Sequence, residues 1–136
     1  MKPVFVDTGG WFAALARRDQ DHAAAADFLK RWRGKLVTTD YVLDETLTLI
    51  QARINHATAV EFLDAIERSN TLDLVFVAPD DYYKALDLFR KRGDKQWSFT
   101  DCTSFTVMAR LDLSHALAFD NHFHQAGFIL ATNATT

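Results

Sequence analysis

The chain has 136 residues, 49% apolar and 24% charged, the make-up of one globular domain with a core of its own. A formal net charge of −3 supplies no overall attraction to polyanions. Cys102 is the only cysteine, which excludes an internal disulfide and a thiolate metal cluster, and no apolar run is long enough to cross a bilayer or form a cleavable leader, so the cytoplasm is the expected compartment.

Val4, Phe5 and Val6 form a short apolar run without polar alternation, the pattern of a strand buried on both faces of a parallel sheet. The run ends in Asp7, Thr8, Gly9 and Gly10, so Asp7 falls at the carboxyl end of a central strand and the glycines suit a tight turn into a helix over 11–17. A second helix covers 21–33 and stops at Gly34. A strand over 36–38 leads into a helix over 40–53, capped by Thr39 or Asp40. Asn55 and His56 join it to a helix over 58–68. A strand over 72–77 is closed by Pro79, and a helix runs from Asp80 or Asp81 to residue 92, ended by Gly93. A helix over 100–111, a strand over 115–119, a short helix over 121–125 and a strand over 128–130 follow, and 131–136 read as a frayed tail. Strands spaced by helices predict right-handed crossovers and an α/β fold with helices on both faces of a parallel sheet, built as one domain over 1–130.

Four acids stand out. Asp7 follows the first strand, and Asp120 follows the apolar run Ala116 to Phe119 in the same way; each reads alternatively as the cap of the next helix. Glu45 shares a helix face with Tyr41, Val42 and Leu49, whereas Asp44 points with Thr48 and Gln51 toward solvent. A glutamate among apolar neighbours needs a partner, either an arginine at the edge or a bound cation. Asp101 lies three residues after Ser98, in the spacing of a capping box. Brought together without a cation these carboxylates would repel one another, and an oxygen-only set without a His or Cys cluster suits Mg²⁺ or Mn²⁺. Such ions bind phosphate and activate water against it.

The remaining polar and aromatic residues read more plainly. Basic clusters at Arg17 and Arg18, at Lys30, Arg31, Arg33 and Lys35, and at Arg90, Lys91, Arg92 and Lys95 sit near helix ends. Each alone reads as a solvated last turn that complements the helix dipole, with a shared local phosphate-binding rim as the alternative for the three together. The five histidines match no zinc motif, and His122 and His124, close to Asp120, read as surface residues, with contact to phosphate as the alternative. Trp11 and Trp97 read as core residues near the acids, with base stacking as the alternative. Trp32 reads as helix packing or interface, and Cys102 as a small buried side chain.

Val4-Phe5-Val6-Asp7-Thr8, Asp44-Glu45-Thr46-Leu47, Ser98-Phe99-Thr100-Asp101-Cys102 and Ala118-Phe119-Asp120, in this order, resemble the PIN-domain ribonucleases, above all the VapC-type toxins of toxin–antitoxin pairs. The resemblance covers nearly the whole chain. It implies a three-layer α/β/α sandwich around a five-stranded parallel sheet, usually a homodimer, that cleaves RNA with Mg²⁺ or Mn²⁺ and is silenced by a cognate antitoxin. It also implies that Asp7, Glu45 and Asp101 form the core acidic site, with Asp120 as a more variable fourth acid. Ser98 and Thr8 match the family's hydroxyls beside the third and first acids. By this resemblance Asp7, Asp101 and Asp120 would hold the ion, and Glu45 a second ion or the attacking water. Three other readings remain: a haloacid-dehalogenase-type phosphohydrolase, a PIN nuclease of RNA maturation, and a silent binding module. The first wants an aspartate two residues after Asp7, where Gly9 stands, and the last is disfavoured by the presence of all four acids.

Overall fold

A computed structural model describes residues 1–133. Five parallel strands, β1 (Val4–Val6), β2 (Leu36–Thr39), β3 (Leu72–Val75), β4 (His115–Leu117) and β5 (Ile129–Leu130), lie in the order β3-β2-β1-β4-β5. Helices α1 (Thr8–Leu15) and α2 (His22–Arg31) connect β1 to β2, and α3 (Asp40–Arg53) and α4 (His56–Arg68) connect β2 to β3. Helices α5 (Pro79–Lys91) and α6 (Phe99–Arg110) carry the chain back across the sheet to β4, and α7 (His122–Gln125) leads to β5. Right-handed crossovers therefore put α1 to α4 on one face and α5 to α7 on the other. The expected α/β/α sandwich with a five-stranded parallel sheet is the observed architecture.

The core explains why β1 is central. Val4, Phe5 and Val6 are buried on both sides. Phe5 faces Phe123 of α7 at 6.0 Å, and Phe123 meets Phe105 of α6 edge-on at 4.9 Å. On the other face Trp11 of α1 meets Phe62 of α4 at 5.5 Å. The Trp11 Nε1–H donates to Thr38 Oγ1, which in turn donates to the Val6 carbonyl. Trp97 packs on Phe105 and donates to Gln125 Oε1, so both tryptophans near the acids are core residues, as expected. Cys102 is fully buried, and burial pushes its thiol up to about 11, which makes it an inert small side chain. Asp81, buried on α5, forms a fork with Arg110 of α6 at 2.8–3.1 Å and is held below the ordinary carboxylate range by it, tying the two helices together.

Several boundaries differ from the sequence expectation. The first helix starts at Thr8, not residue 11, so Gly9 and Gly10 lie inside it instead of forming a turn. The reason is proximity: the Leu117 carbonyl of β4 accepts the Asp7 amide at 3.1 Å, and a Cβ on Gly10 would sit 2.4 Å from that same oxygen. The helix expected from Asp80 or Asp81 starts at Pro79, and the Asp81 carboxylate accepts the Ala78 amide in front of it. Thr39, not Asp40, caps α3 through the Val42 amide, freeing the Asp40 carboxylate to accept the Val77 amide after β3. Asn55 caps α4, which begins at His56. Strands β3 and β4 stop at Val75 and Leu117, short of residues 77 and 119. The expected tail begins with a 3-10 turn over Ala131–Asn133 in which Ala131 is buried, while residues 134–136 lie outside the described residues.

The two glycines make opposite predictions. Gly10→Ala forces α1 away from β4 and should cost about 1–3 kcal/mol in denaturant unfolding. A Cβ on Gly9 would meet only Asp7 Oδ2, at 4.0 Å, an ordinary van der Waals contact. Gly9→Ala should be neutral or stabilising by up to about 1 kcal/mol.

Candidate active site

Strand β1 sits where the crossovers reverse direction, so the carboxyl ends of β1 and β4 open a crevice at the topological switch point of the sheet. Asp7 stands there, held by its amide to β4. It occupies the N-cap position of α1, yet its side chain caps nothing. The residue is only 4% exposed, and Oδ1 is buried without any hydrogen-bond partner. Burial pushes its pKa well up, the Asp101 charge adds to this, and Asp120 and Glu45 push the same way against the opposing Thr8 amide. The helix-cap reading of Asp7 is thereby set aside. The next residue, Thr8, is also buried, and its Oγ1 accepts from Thr46 Oγ1 of α3 at 3.4 Å.

Thr46 adjoins Glu45. Helix α3 starts at the end of β2, which brings Glu45 toward the crevice, half-buried, while Asp44, Thr48 and Gln51 are exposed as the helical spacing predicts. Among the described residues no ion pair engages Glu45, so the alternative of an arginine-paired edge glutamate is not the one observed. Asp101 lies in the first turn of α6, 6% exposed. The expected capping box is present: the Asp101 amide donates to Ser98 Oγ, and the Ser98 amide donates to Asp101 Oδ2, both at 3.0 Å. Burial raises the Asp101 pKa, opposed by the Ser98 amide and by His122. Asp120, exposed, follows β4, and its Oδ1 accepts the His122 amide at 3.0 Å.

All four sequence-picked acids thus converge on one crevice, with Ser98 and Thr8 beside the third and first of them. They do not close into a cage: among the described residues no group of three or more acid, His or Cys side chains is drawn together tightly enough to enclose an ion. The crevice also holds a residue taken from sequence for a surface histidine. His122 is half-buried, with Nδ1 2.9 Å from Asp101 Oδ2 and 3.6 Å from Asp120 Oδ2. The spacing Asp120-x-His122 carried the signal, because an aspartate that accepts the amide two residues on folds that residue back beside its own carboxylate. His124 is exposed, as expected.

The basic clusters separate. Helix α1 begins at the acids and runs away from them, leaving Arg17 and Arg18 beyond its far end. Arg31 lines a cavity with Met1, Val4 and His115 at the amino ends of the strands, opposite the crevice. Lys35 immediately precedes β2 at that same end. Arg92 alone stacks on Trp97, at 5.1 Å, immediately before Ser98. Of the three clusters the one over 90–95 lies nearest the crevice, and within it Arg90 pairs with Asp87 and both Arg92 and Lys95 with Asp94.

The buried carboxyl of Asp7 should leave a pH signature. Its folded pKa lies above the ordinary 3.8, so as pH rises through that window the unfolded chain releases its proton first and the native state loses stability. Below the ordinary value both states are protonated and the penalty vanishes. In metal-free buffer at neutral pH, Asp7→Asn should therefore melt above the parent, by roughly 3–5 °C for each kcal/mol recovered. The gap should close as pH falls toward 4.

Comparison with known proteins agrees with this geometry. The PIN domain family matches residues 4–129. The 23S rRNA-specific endonuclease VapC20 of Mycobacterium tuberculosis is 34% identical over 129 residues, covering 93% of this chain and 95% of that protein. A VapC ribonuclease of Archaeoglobus fulgidus is 30% identical over 126 residues, covering 88% and 78%. The crystal structure of VapC20, described as a sarcin–ricin loop cleaving toxin, superposes with a TM-score of 0.88 at 32% identity over 93% of this chain and 96% of that one. The chain belongs to the PIN-domain family, within its VapC group.

Proposed function

We propose that the chain is an endoribonuclease that hydrolyses RNA phosphodiester bonds with Mg²⁺ or Mn²⁺, and that it acts as the toxin of a toxin–antitoxin pair. The observation that carries this reading is the buried Asp7 oxygen without a partner at the centre of four converging acids. An orphaned buried carboxylate oxygen is expensive unless something fills its place, and an all-carboxylate donor set fits a hard divalent ion. Asp7, Asp101 and Asp120 would hold the ion, with Glu45 beside it. When bound, such an ion lowers the pKa of water and offsets charge on the phosphate.

The chain's own residues supply the rest. The Ser98 amide holds one oxygen of the Asp101 carboxylate, and the Thr8 hydroxyl ties the residue after Asp7 to Thr46 of α3. Glu45, half-buried and without an ion pair among the described residues, is placed to accept a proton from an attacking water. The cations in the last turn of α5 and in the loop to α6 would receive the RNA backbone. The relatives' names support an RNA substrate, and the sarcin–ricin loop of 23S rRNA, the target of VapC20, is the first RNA to test. The same names support a cognate antitoxin. For a homodimer, α5 and the residues before it offer Phe76, Tyr82, Tyr83 and Phe89, four exposed aromatics of the kind that interface cores favour. No helix of the described residues is long and apolar enough to cross a membrane, which suits a cytoplasmic site of action.

RNA cleavage in Mn²⁺ tests the assignment. Asp7→Asn should lose at least about a hundredfold in rate while remaining folded, as expected when an electrostatic element of the transition state is removed. Asp44→Asn should cleave like the parent. Full activity in Asp7→Asn refutes the site, and a folded parent that cleaves no RNA in any divalent ion favours a silent binding module.

Salt dependence tests the RNA path. With Asp7→Asn as a binding-only background, neutralising Arg90, Lys91 and Lys95 to glutamine should flatten the slope of log affinity against log salt by roughly one unit per lost contact. Neutralising Arg31 and Lys35 should leave the slope unchanged.

A further inference from the structure

His122 is the one group in the crevice that the carboxylate chemistry leaves unexplained. It enters the site by two separate devices. Its amide is held by Asp120 Oδ1 at 3.0 Å, which fixes the start of α7. Its side chain then reaches across to α6, where Nδ1 lies 2.9 Å from Asp101 Oδ2. The adjacent residue, Phe123, is fully buried against Phe5 and Phe105, so the backbone that carries the imidazole is anchored in the core. A carboxylate only accepts, so Nδ1 of the ring is the donor in this contact. Asp101 Oδ2 therefore receives two hydrogen bonds, one from the Ser98 amide and one from the imidazole. Two donors on one oxygen fix the plane of the carboxylate and leave Oδ1 outside that set of bonds.

We propose that His122 is a positioning residue of the ion site: it holds the Asp101 carboxylate from behind, so that Oδ1 faces the crevice it shares with Asp7. The inference rests on the metal-dependent reading above and adds to it a residue that is not itself a carboxylate. Partners of this kind behind a ligating carboxylate set metal affinity, and their loss costs about 10–100-fold. The arrangement also divides the two acids that His122 touches. Asp101, buried, has one oxygen committed to the protein, whereas Asp120, exposed, stands 3.6 Å from the ring and keeps Oδ2 out of hydrogen-bond reach of it.

The test uses the full chain and Mn²⁺ alone, without RNA, so that affinity is read independently of activity. Isothermal titration and the Mn²⁺-dependent rise of the melting midpoint are measured for the parent, His122→Ala, His122→Asn, His122→Gln and His124→Ala. Asparagine can place its amide nitrogen near the position of Nδ1, whereas glutamine carries it one methylene further. His122→Ala and His122→Gln should bind Mn²⁺ about 10–100-fold more weakly, His122→Asn should recover most of the loss, and His124→Ala should match the parent. Metal-free melts and circular dichroism confirm the fold, and the comparison of asparagine with glutamine decides the matter if the alanine variant does not fold. Equal affinity in all four variants overturns the proposal, as does asparagine behaving like glutamine. Tighter binding in His122→Ala also overturns it, because the imidazole would then occupy the ion's own place. A parent that binds no Mn²⁺ overturns the metal-dependent reading itself and this inference with it.

Discussion

A carboxylate buried at the end of the central strand, with one oxygen left without a partner, is the constraint around which the rest of the molecule is arranged. Burying an ionised acid costs several kcal/mol after relaxation, and neighbouring acids add to the cost. The adjacent Thr8 amide offsets only part of this at Asp7, whose side chain does not cap α1. The position is tolerated because everything around it is over-determined. Strand β1 is hydrogen-bonded on both edges, its three side chains are buried, and the Leu117 carbonyl holds the Asp7 amide. Stability elsewhere is thus traded for a charged group where an ion or a phosphate can reach it.

The same carbonyl links the site to the sheet's second half. It accepts from Asp7 and lies against the Cα of Gly10, so α1 can approach β4 only because residue 10 has no side chain. On the α6 side the Ser98–Asp101 cap starts a helix and aims a carboxylate with one set of bonds, and His122 completes that set from α7. Cap and site are therefore not rival explanations of Asp101. They are rival explanations of Asp7, where the cap bond is missing and the site remains.

Much of this was legible in the sequence. Three apolar β-formers ending in an acid announce a buried strand and its carboxyl end, and the helical spacing around Glu45 separated it correctly from Asp44. What the sequence hid lay in tertiary distance. The start of α1 was missed because two glycines read as a turn when one of them serves a close contact with β4. His122 was missed because its partner, Asp101, lies 21 positions away in sequence and becomes a neighbour only once α6 and α7 meet. The basic clusters looked alike along the chain, and only the direction of each helix showed that Arg17 and Arg31 stand at the wrong end of the sheet.

The strand order has a consequence for the chain as it is being made. Strand β1 is made well before its second edge partner, β4, and Asp120 and His122 follow β4. A nascent chain carries Asp7 and Glu45 early, yet it has no crevice until β4 slots in beside β1 and α6 and α7 close behind it. Such late, long-range pairing is slow to form. The crevice is therefore a late product of the fold, formed only after the sheet's first three strands and four helices have been made.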